Sequence, residues 1–144
     1  MLLKIITDSC RIKAKIVELD EKEKNIRSLL NYGHTVGHAI EALSGYKCTH
    51  GEAVSIGIAV AAKVSYESKI LKKNEMEAQI NLLKKIGLPT KIPKEFKTKE
   101  IMGIIRKDKK NFAGKMRCIL AKKIGHAIIK KNIDENIIKK ALLK

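Results

Sequence analysis

The chain has 144 residues, of which 44% are hydrophobic and only 3% aromatic, and it carries a formal net charge of +16. This hydrophobic content excludes disorder as the main state, and the length allows one domain with a core of aliphatic side chains. The longest apolar run, Ala53 to Ala62, is too short to cross a bilayer. The aliphatic composition favours packed helices, so the sequence predicts one mainly helical domain covering residues 1–144.

The first third of the chain shows helical spacing of its apolar residues. Residues 2 to about 18 follow this spacing, with Lys13 and Lys15 on opposite faces. A charged connector follows at residues 20–25, and a second helical pattern runs from residue 26 through residue 41. Gly33 and Gly37 lie within this pattern, and such glycines are tolerated where a ligand or another backbone comes near.

The middle of the chain predicts two further helices. Residues 50 to about 70 are apolar nearly all round, which is typical of a central buried helix, and its small residues would let another element approach closely. An amphipathic helix follows over residues 74–86. Asn74 is its expected N-cap, with Glu77 at the capping-box spacing, and Gly87 and Pro89 end it.

The last third mixes helices with short β-branched runs. Thr98 is expected to cap a short helix that ends near residue 106, where a dense basic cluster, residues 106–111, begins. That cluster is either a solvated loop or an anion clamp. Runs at 116–120 and 127–129 around Gly125 predict a small β-hairpin, and Asp134 is expected to cap a last helix to residue 143.

Three of the four histidines cluster within residues 27–52. His34 and His38 are four residues apart and would share one face of a helix, with Glu41 three residues further along it. His50 follows at the start of the buried helix. Neutral imidazoles bind a borderline cation such as Zn²⁺, and a carboxylate can complete the shell, so the cluster indicates a metal or anion site.

Charge and cysteine content bear on partners and compartment. A +16 chain could bind nucleic acid, present a solvated basic surface, or focus small acidic metabolites in a cleft. Base recognition relies on Arg and aromatic side chains, and this chain has few of either. Its three cysteines, Cys10, Cys48 and Cys118, are widely spaced and odd in number, which argues for a reduced, cytoplasmic compartment and against disulfides. The short apolar patch over residues 1–6 turns polar at Thr7, so no signal peptide is expected.

The histidine block resembles the C-terminal, metal-binding domain of 3-dehydroquinate synthase, the second enzyme of the shikimate pathway. The matching pieces stand in the family's order over about residues 9–125, and that ordered set is far more specific than a single H-x-x-x-H. They are Lys13-Ala14 with Val17, Asp20-Glu21, Arg27 to Glu41, His50 to Val54, Ile58, Asp108 to Lys110, and Ile124-Gly125.

This resemblance implies the helical C-terminal domain of a dehydroquinate synthase-like fold. It implies an enzyme that converts 3-deoxy-D-arabino-heptulosonate 7-phosphate to 3-dehydroquinate and phosphate, with NAD and a Zn²⁺ or Co²⁺ ion as cofactors. The NAD-binding domain and a third metal ligand, a glutamate, would lie upstream of these residues, and the full-length enzyme would be a homodimer. We therefore expect the 144 residues alone to bind Zn²⁺ poorly and to lack synthase activity.

The resemblance also implies roles for the histidines. His34 and His50 match the family's two histidine metal ligands, and His38 matches a catalytic residue at the substrate's phosphate end. Helical spacing alone would instead pair His34 with His38. We follow the family, because two ligands from different helices fix a site more rigidly.

The remaining polar site residues of the family match Lys13, Glu23, Arg27, Asn31, and either Lys109 or Lys110. Lys13 and Arg27 would hold the substrate's carboxylate and hydroxyls, and Asn31 would provide a second polar contact. Glu23 matches a carboxylate near the site, and both Glu23 and Lys13 are expected to be catalytic. Spacing does not decide which of the two lysines contacts substrate.

Three other readings remain open at this point. A sibling sugar-phosphate cyclase such as 2-deoxy-scyllo-inosose synthase has a similar histidine block, but its substrate lacks a carboxylate, so Arg27 and the lysines favour dehydroquinate synthase. The others are a small basic nucleic-acid-binding protein and a structural remnant that dimerises through its apolar helices.

Overall fold

Helices and one β-hairpin form the part of the chain that the structure, a computed structural model, describes: residues 2–22, 26–45, 47–107 and 115–143. The elements are α1 (Leu2–Leu19), a 3-10 helix (Ile26–Asn31), α2 (His34–Leu43), α3 (His50–Glu67), α4 (Lys73–Lys85), α5 (Thr98–Lys107), β1 (Lys115–Lys123), β2 (His126–Asp134) and α6 (Glu135–Leu143). The predicted mainly helical fold with a small hairpin near the C-terminus is confirmed. Within the described residues, no helix combines the length and hydropathy needed to cross a membrane.

The chain is divided into two compact units, Met1–Asn31 and Tyr32–Lys144. The first contains α1, the helix predicted from the N-terminal apolar spacing, and the 3-10 helix. No residue described in α1 is buried, and its large apolar side chains, such as Leu3 at 77% exposure, face solvent. Asp20 links the two helices of this unit, because its carboxylate accepts a hydrogen bond from the Arg27 backbone N–H at 3.0 Å.

The helix predicted over residues 26–41 is wrong as a single element. It is divided into the 3-10 helix and α2, and Gly33 between them has a φ of +84°. This left-handed conformation is open to glycine and strained for other residues, so the helix cannot continue through it. The break places His34 at the first position of α2.

The second unit is built around α3, as the apolar pattern predicted, although the helix ends at Glu67 rather than near residue 70. Ala53, Ile56, Val60 and Val64 are buried in a core that α2, α5, α6 and the hairpin complete. Ser65 joins α3 to the hairpin, because its hydroxyl accepts the Ala121 backbone N–H at 3.1 Å and donates to the Ala61 carbonyl at 2.7 Å.

Glycines allow α2 to lie unusually close to α3. A Cβ placed on Gly57 of α3 would be 1.9 Å from the carbonyl oxygen of Gly33, and one on Gly37 would be 3.1 Å from the Val54 Cα. The predicted close approach to the small residues of the buried helix is confirmed by these contacts. The two backbones meet directly, so the spacing of α2 and α3 is set by main-chain atoms rather than by side chains.

Of the three predicted N-caps, one is confirmed and two are wrong. Asp134 caps α6 as expected, its carboxylate accepting the Asn136 backbone N–H at 2.8 Å. Asn74 does not cap α4, because the helix begins one residue earlier and the extended Lys72 occupies the N-cap position without a side-chain bond. Thr98 is likewise already helical, and the Lys97 backbone N–H donates instead to Glu100 at 2.8 Å.

The hairpin is longer than the apolar runs predicted. β1 and β2 pair antiparallel, with Ile119 opposite Ile129 and Lys123 opposite His126. Gly125, in the turn between them, has a φ of +80°, which suits glycine at this position. The alternating burial of β1 places Met116, Cys118 and Leu120 against the core.

Candidate metal and substrate site

Three histidine rings converge at the N-terminal ends of α2 and α3. His34 is the first residue of α2, His38 lies one turn later, and His50 is the first residue of α3. The ring centroids of His34 and His50 are 5.3 Å apart, those of His34 and His38 5.4 Å, and those of His38 and His50 6.1 Å. The cluster indicated by the sequence is therefore assembled in space.

Two of these rings have the same hydrogen-bonding pattern at Nδ1. His34 Nδ1 lies 3.4 Å from the Tyr32 carbonyl oxygen, and His50 Nδ1 lies 3.2 Å from Glu41 Oε2. Both partners are acceptors, so each neutral ring carries its proton on Nδ1 and leaves the Nε2 lone pair available. No such contact is found for His38 among the residues that the structure describes.

The electrostatic environment favours a neutral His34. Partial burial lowers its pKa from the ordinary value, and the neighbouring His38 and His50 act in the same direction. The Tyr32 carbonyl and the Glu41 carboxylate raise the pKa, but less than the lowering causes combined. A ring that is neutral near pH 7 can offer a nitrogen lone pair to a cation.

Glu41 brings a carboxylate to the histidines, on the helix face where the sequence placed it. Potential ligand atoms of His38, Glu41 and His50 all lie within 4.8 Å of one another. Imidazole nitrogens with a carboxylate oxygen are a donor set that suits Zn²⁺ and Co²⁺. His38, Glu41 and His50 therefore fit a divalent cation such as the one that the family resemblance implies, whereas His34, the other ligand implied by the resemblance, is not part of this group.

Three of the predicted substrate residues belong to the first compact unit. Lys13 is exposed on α1, Arg27 is half-buried in the 3-10 helix, and Asn31 is the last residue of that helix. The Arg27 guanidinium Nη1 donates to the Glu21 carbonyl at 2.7 Å, which orients the side chain. That these residues share a substrate site with the histidines stays a prediction.

The other predicted site residues, the catalytic Glu23 and the substrate-binding Lys109 or Lys110, lie outside the described residues. The same is true of most of the basic cluster at 106–111. Of its described members, Arg106 forms an ion pair with Glu135 of α6, and this pairing holds the pKa of the Glu135 carboxyl below its usual value. This arginine is therefore engaged in joining α5 to α6.

Two features around the site were missed by sequence reasoning. Thr49 and Glu52 form a capping box at the start of α3: the Glu52 backbone N–H donates to Thr49 Oγ1, and the Thr49 backbone N–H donates to Glu52 Oε2 at 2.9 Å. The T-x-x-E spacing before an apolar run could have revealed it. The Glu41–His50 contact had no sequence signal, because it joins two different helices.

Comparison with known proteins places these features in a family. The sequence profile described as 3-dehydroquinate synthase C-terminal matches residues 1–111. Curated 3-dehydroquinate synthases from Nostoc punctiforme and Thermodesulfovibrio yellowstonii are 42% and 43% identical to the chain, over 96% and 99% of its length. The chain spans 38% and 40% of these relatives, which is about two-fifths of their length.

Solved structures agree in fold. A 2-deoxy-scyllo-inosose synthase complexed with carbaglucose-6-phosphate, NAD⁺ and Co²⁺ superposes with a TM-score of 0.74 at 26% identity, covering 83% of this chain and 35% of that one. The 2-epi-5-epi-valiolone synthase from Streptomyces hygroscopicus subsp. jinggangensis, with NAD⁺ and Zn²⁺ bound, superposes with a TM-score of 0.85 at 20% identity, covering 98% and 39%.

The sequence identity, the matched profile and the shared fold all extend over most of the 144 residues. The chain belongs to the 3-dehydroquinate synthase family, whose C-terminal region it matches.

Proposed function

We propose that the chain is the C-terminal, metal- and substrate-binding part of a 3-dehydroquinate synthase. In this function it acts with an NAD-binding domain to convert 3-deoxy-D-arabino-heptulosonate 7-phosphate to 3-dehydroquinate and phosphate, as a carbon–oxygen lyase of the cytoplasmic shikimate pathway. The convergence of His34, His38 and His50 is the observation that carries the proposal. Family membership supports it and disfavours a nucleic-acid-binding role.

We infer that His34 and His50 hold a Zn²⁺ or Co²⁺ ion through Nε2, together with a glutamate from the rest of the family's fold. Their Nδ1 contacts support this pair over His34 and His38, because metal-binding histidines usually donate the other ring N–H to an acceptor. When bound, the ion would supply Lewis acidity at the hydroxyl that is oxidised, and NAD would supply the redox chemistry.

The protein side chains bind the two acidic ends of the substrate. His38 is exposed, and its ring can hydrogen-bond a phosphate oxygen. Arg27 suits the carboxylate, because a guanidinium has five donors and its contact with Glu21 still permits bidentate binding. Lys13 and Asn31 supply further polar contacts to the carboxylate and hydroxyls.

Glu23 and one of Lys109 and Lys110 complete the proposed site. A lysine there adds positive charge against the phosphate or carboxylate, and the net charge of +16 favours such a substrate in general. The full-length enzyme is proposed to be a homodimer, with this chain inactive when alone.

A chimeric enzyme tests the proposal. The N-terminal three-fifths of the Thermodesulfovibrio yellowstonii synthase is joined to this chain, which replaces the matching C-terminal region of that enzyme. With NAD⁺ and Co²⁺, we expect phosphate release from 3-deoxy-D-arabino-heptulosonate 7-phosphate. The His34→Ala and His50→Ala chimeras and the isolated 144-residue chain should release none.

A second substrate separates the sibling cyclase. Glucose 6-phosphate is the sugar counterpart of the carbaglucose-6-phosphate in the 2-deoxy-scyllo-inosose synthase complex, and it has no carboxylate. We expect the chimera to prefer the heptulosonate. A folded chimera that turns over neither compound, or that prefers glucose 6-phosphate, would rule the assignment out.

A further inference from the structure

A carboxylate from one helix contacts the metal-site histidine of the other. Glu41, in the last turns of α2, places Oε2 at 3.2 Å from Nδ1 of His50, the first residue of α3. The Glu41 side chain is only 19% exposed, whereas that of His50 is 57% exposed. The better-buried carboxylate is therefore the fixed partner, and the exposed imidazole is the group that it can orient.

The chemistry of the contact determines the imidazole tautomer. An ionised carboxylate only accepts hydrogen bonds, so the nitrogen facing it must carry the proton. In neutral His50 this puts the proton on Nδ1 and the lone pair on Nε2. Without the carboxylate, a ring at an exposed helix N-terminus would rotate and would exchange between the two neutral tautomers.

We propose that Glu41 is the positioning residue for His50, holding its ring and tautomer so that Nε2 faces the cation. This inference rests on the proposed metal role of His50. His34 supports it, because its Nδ1 also faces an acceptor, the Tyr32 carbonyl, and both rings then present the same nitrogen. A histidine paired with a carboxylate in this way is a common arrangement around protein-bound zinc.

The competing role for Glu41 is direct ligation. Its carboxylate belongs to the group of donor atoms within 4.8 Å of one another. If Glu41 bound the cation next to Nδ1 of His50, that histidine would also bind the cation through Nδ1. His34 would still bind through Nε2, so the two histidines would present different nitrogens. The positioning role requires no such difference, and it also leaves a coordination position for a ligand from the rest of the fold.

The tautomer of His50 can be measured without any metal. Long-range ¹H–¹⁵N NMR of the 144-residue chain at about pH 8 distinguishes protonated from unprotonated ring nitrogens. We expect protonated Nδ1 in the wild type and in Glu41→Gln, whose amide oxygen still accepts. Glu41→Ala should shift the ring towards a mixture of tautomers.

Glu52→Gln is the matched control. It removes the same charge near the site, and glutamine preserves the capping box with Thr49. We expect its His50 spectrum to equal that of the wild type. An unchanged tautomer in a folded Glu41→Ala chain, checked by circular dichroism, would overturn the inference.

Cobalt titration of the chimeric enzyme, which supplies the glutamate ligand that this chain lacks, tests the consequence for binding. Binding is followed by the d–d absorption and by paramagnetic shifts of the ring protons. We expect Glu41→Ala to weaken Co²⁺ binding by about 10–100-fold, the usual effect of losing such a partner, and Glu41→Gln and Glu52→Gln to stay near the wild type. Equal loss in Glu41→Gln and Glu41→Ala, with a changed absorption band, would instead make Glu41 a ligand and overturn the positioning role. If neither the unsubstituted chimera nor any variant of it binds Co²⁺, the metal site of the proposed function fails, whereas the tautomer measurement on the 144-residue chain still decides the role of Glu41.

Discussion

Gly57→Ala tests whether direct backbone contact between α2 and α3 sets the geometry of the histidine site. The added Cβ would lie 1.9 Å from the Gly33 carbonyl oxygen and 2.8 Å from the Gly37 backbone nitrogen. Reaching an ordinary van der Waals contact of 3.4 Å requires a local separation of about 1.5 Å. Both obstacles are main-chain atoms, so no side-chain rotation can relieve the clash.

The energetic cost follows from two opposing terms. Alanine in a helix interior is favoured over glycine by about 1 kcal/mol, whereas overpacking a well-packed core costs about 1–3 kcal/mol and occasionally more. Because the clash involves backbone on both sides, we expect the upper end of this cost. The free energy of unfolding should therefore fall by about 2 kcal/mol, measured by urea denaturation and circular dichroism.

Gly57→Ala should impair Co²⁺ binding even where it lowers the free energy of unfolding only moderately. His34 and His50 ring centroids are 5.3 Å apart, and functional sites need their groups held within about 0.5 Å of the productive geometry. An opening of the two helices by more than that should abolish the Co²⁺ absorption band even where Gly57→Ala remains folded. The cobalt titration used for Glu41 provides this measurement.

Gly103→Ala is the matched control for this substitution. Gly103 lies inside α5, and a Cβ there would meet nothing within 4 Å. It should raise the free energy of unfolding by about 0.5–1 kcal/mol and leave Co²⁺ binding unchanged. If Gly57→Ala were as stable as Gly103→Ala and bound Co²⁺ equally well, the proposed contact between the helices would be refuted.

Three further predictions concern the core and the helix ends. Ser65→Ala should lower the free energy of unfolding by about 1–3 kcal/mol, because the buried Ala121 N–H loses its acceptor; an unchanged urea midpoint would contradict this. Thr49→Ala should cost about 1 kcal/mol through loss of the cap, and Thr49→Ser should restore it in thermal melts, whereas equal melting of all three chains would disprove the capping role. Burial raises the pKa of the Cys118 thiol to about 11. Iodoacetamide at about pH 8 should therefore label the exposed Cys10 first and leave Cys118 unmodified in the native chain. Equal labelling rates of the two cysteines by mass spectrometry would refute the burial of Cys118.

Local sequence patterns predicted most of the helices and the hairpin. Residues 2–18 and the apolar segment after His50 form helices because their side-chain period suits that structure over several turns. Asp134 caps α6 because a carboxylate at that position can reach a backbone N–H two residues further on. Such features depend on neighbouring residues alone.

The main error arose where contact with a distant residue decides the local conformation. Gly33 is left-handed and interrupts the helix predicted over residues 26–41, and its carbonyl lies against Gly57 in another helix. The α-helical spacing of residues 26–41 holds no information about that partner. The N-cap of α4 is Lys72 rather than Asn74, and this difference of two residues is within the usual uncertainty of helix ends.

The sequence by itself determined the residue types of the site, the histidines at 34, 38 and 50 and the carboxylate at 41, and the family that they indicate. Only the tertiary structure decided that His34 and His50 lie side by side and that Glu41 faces His50. Spacing along a chain determines which residues share a helix face, but distances between helices depend on how closely their backbones pack. Here that packing depends on glycines whose missing Cβ atoms let α2 and α3 meet.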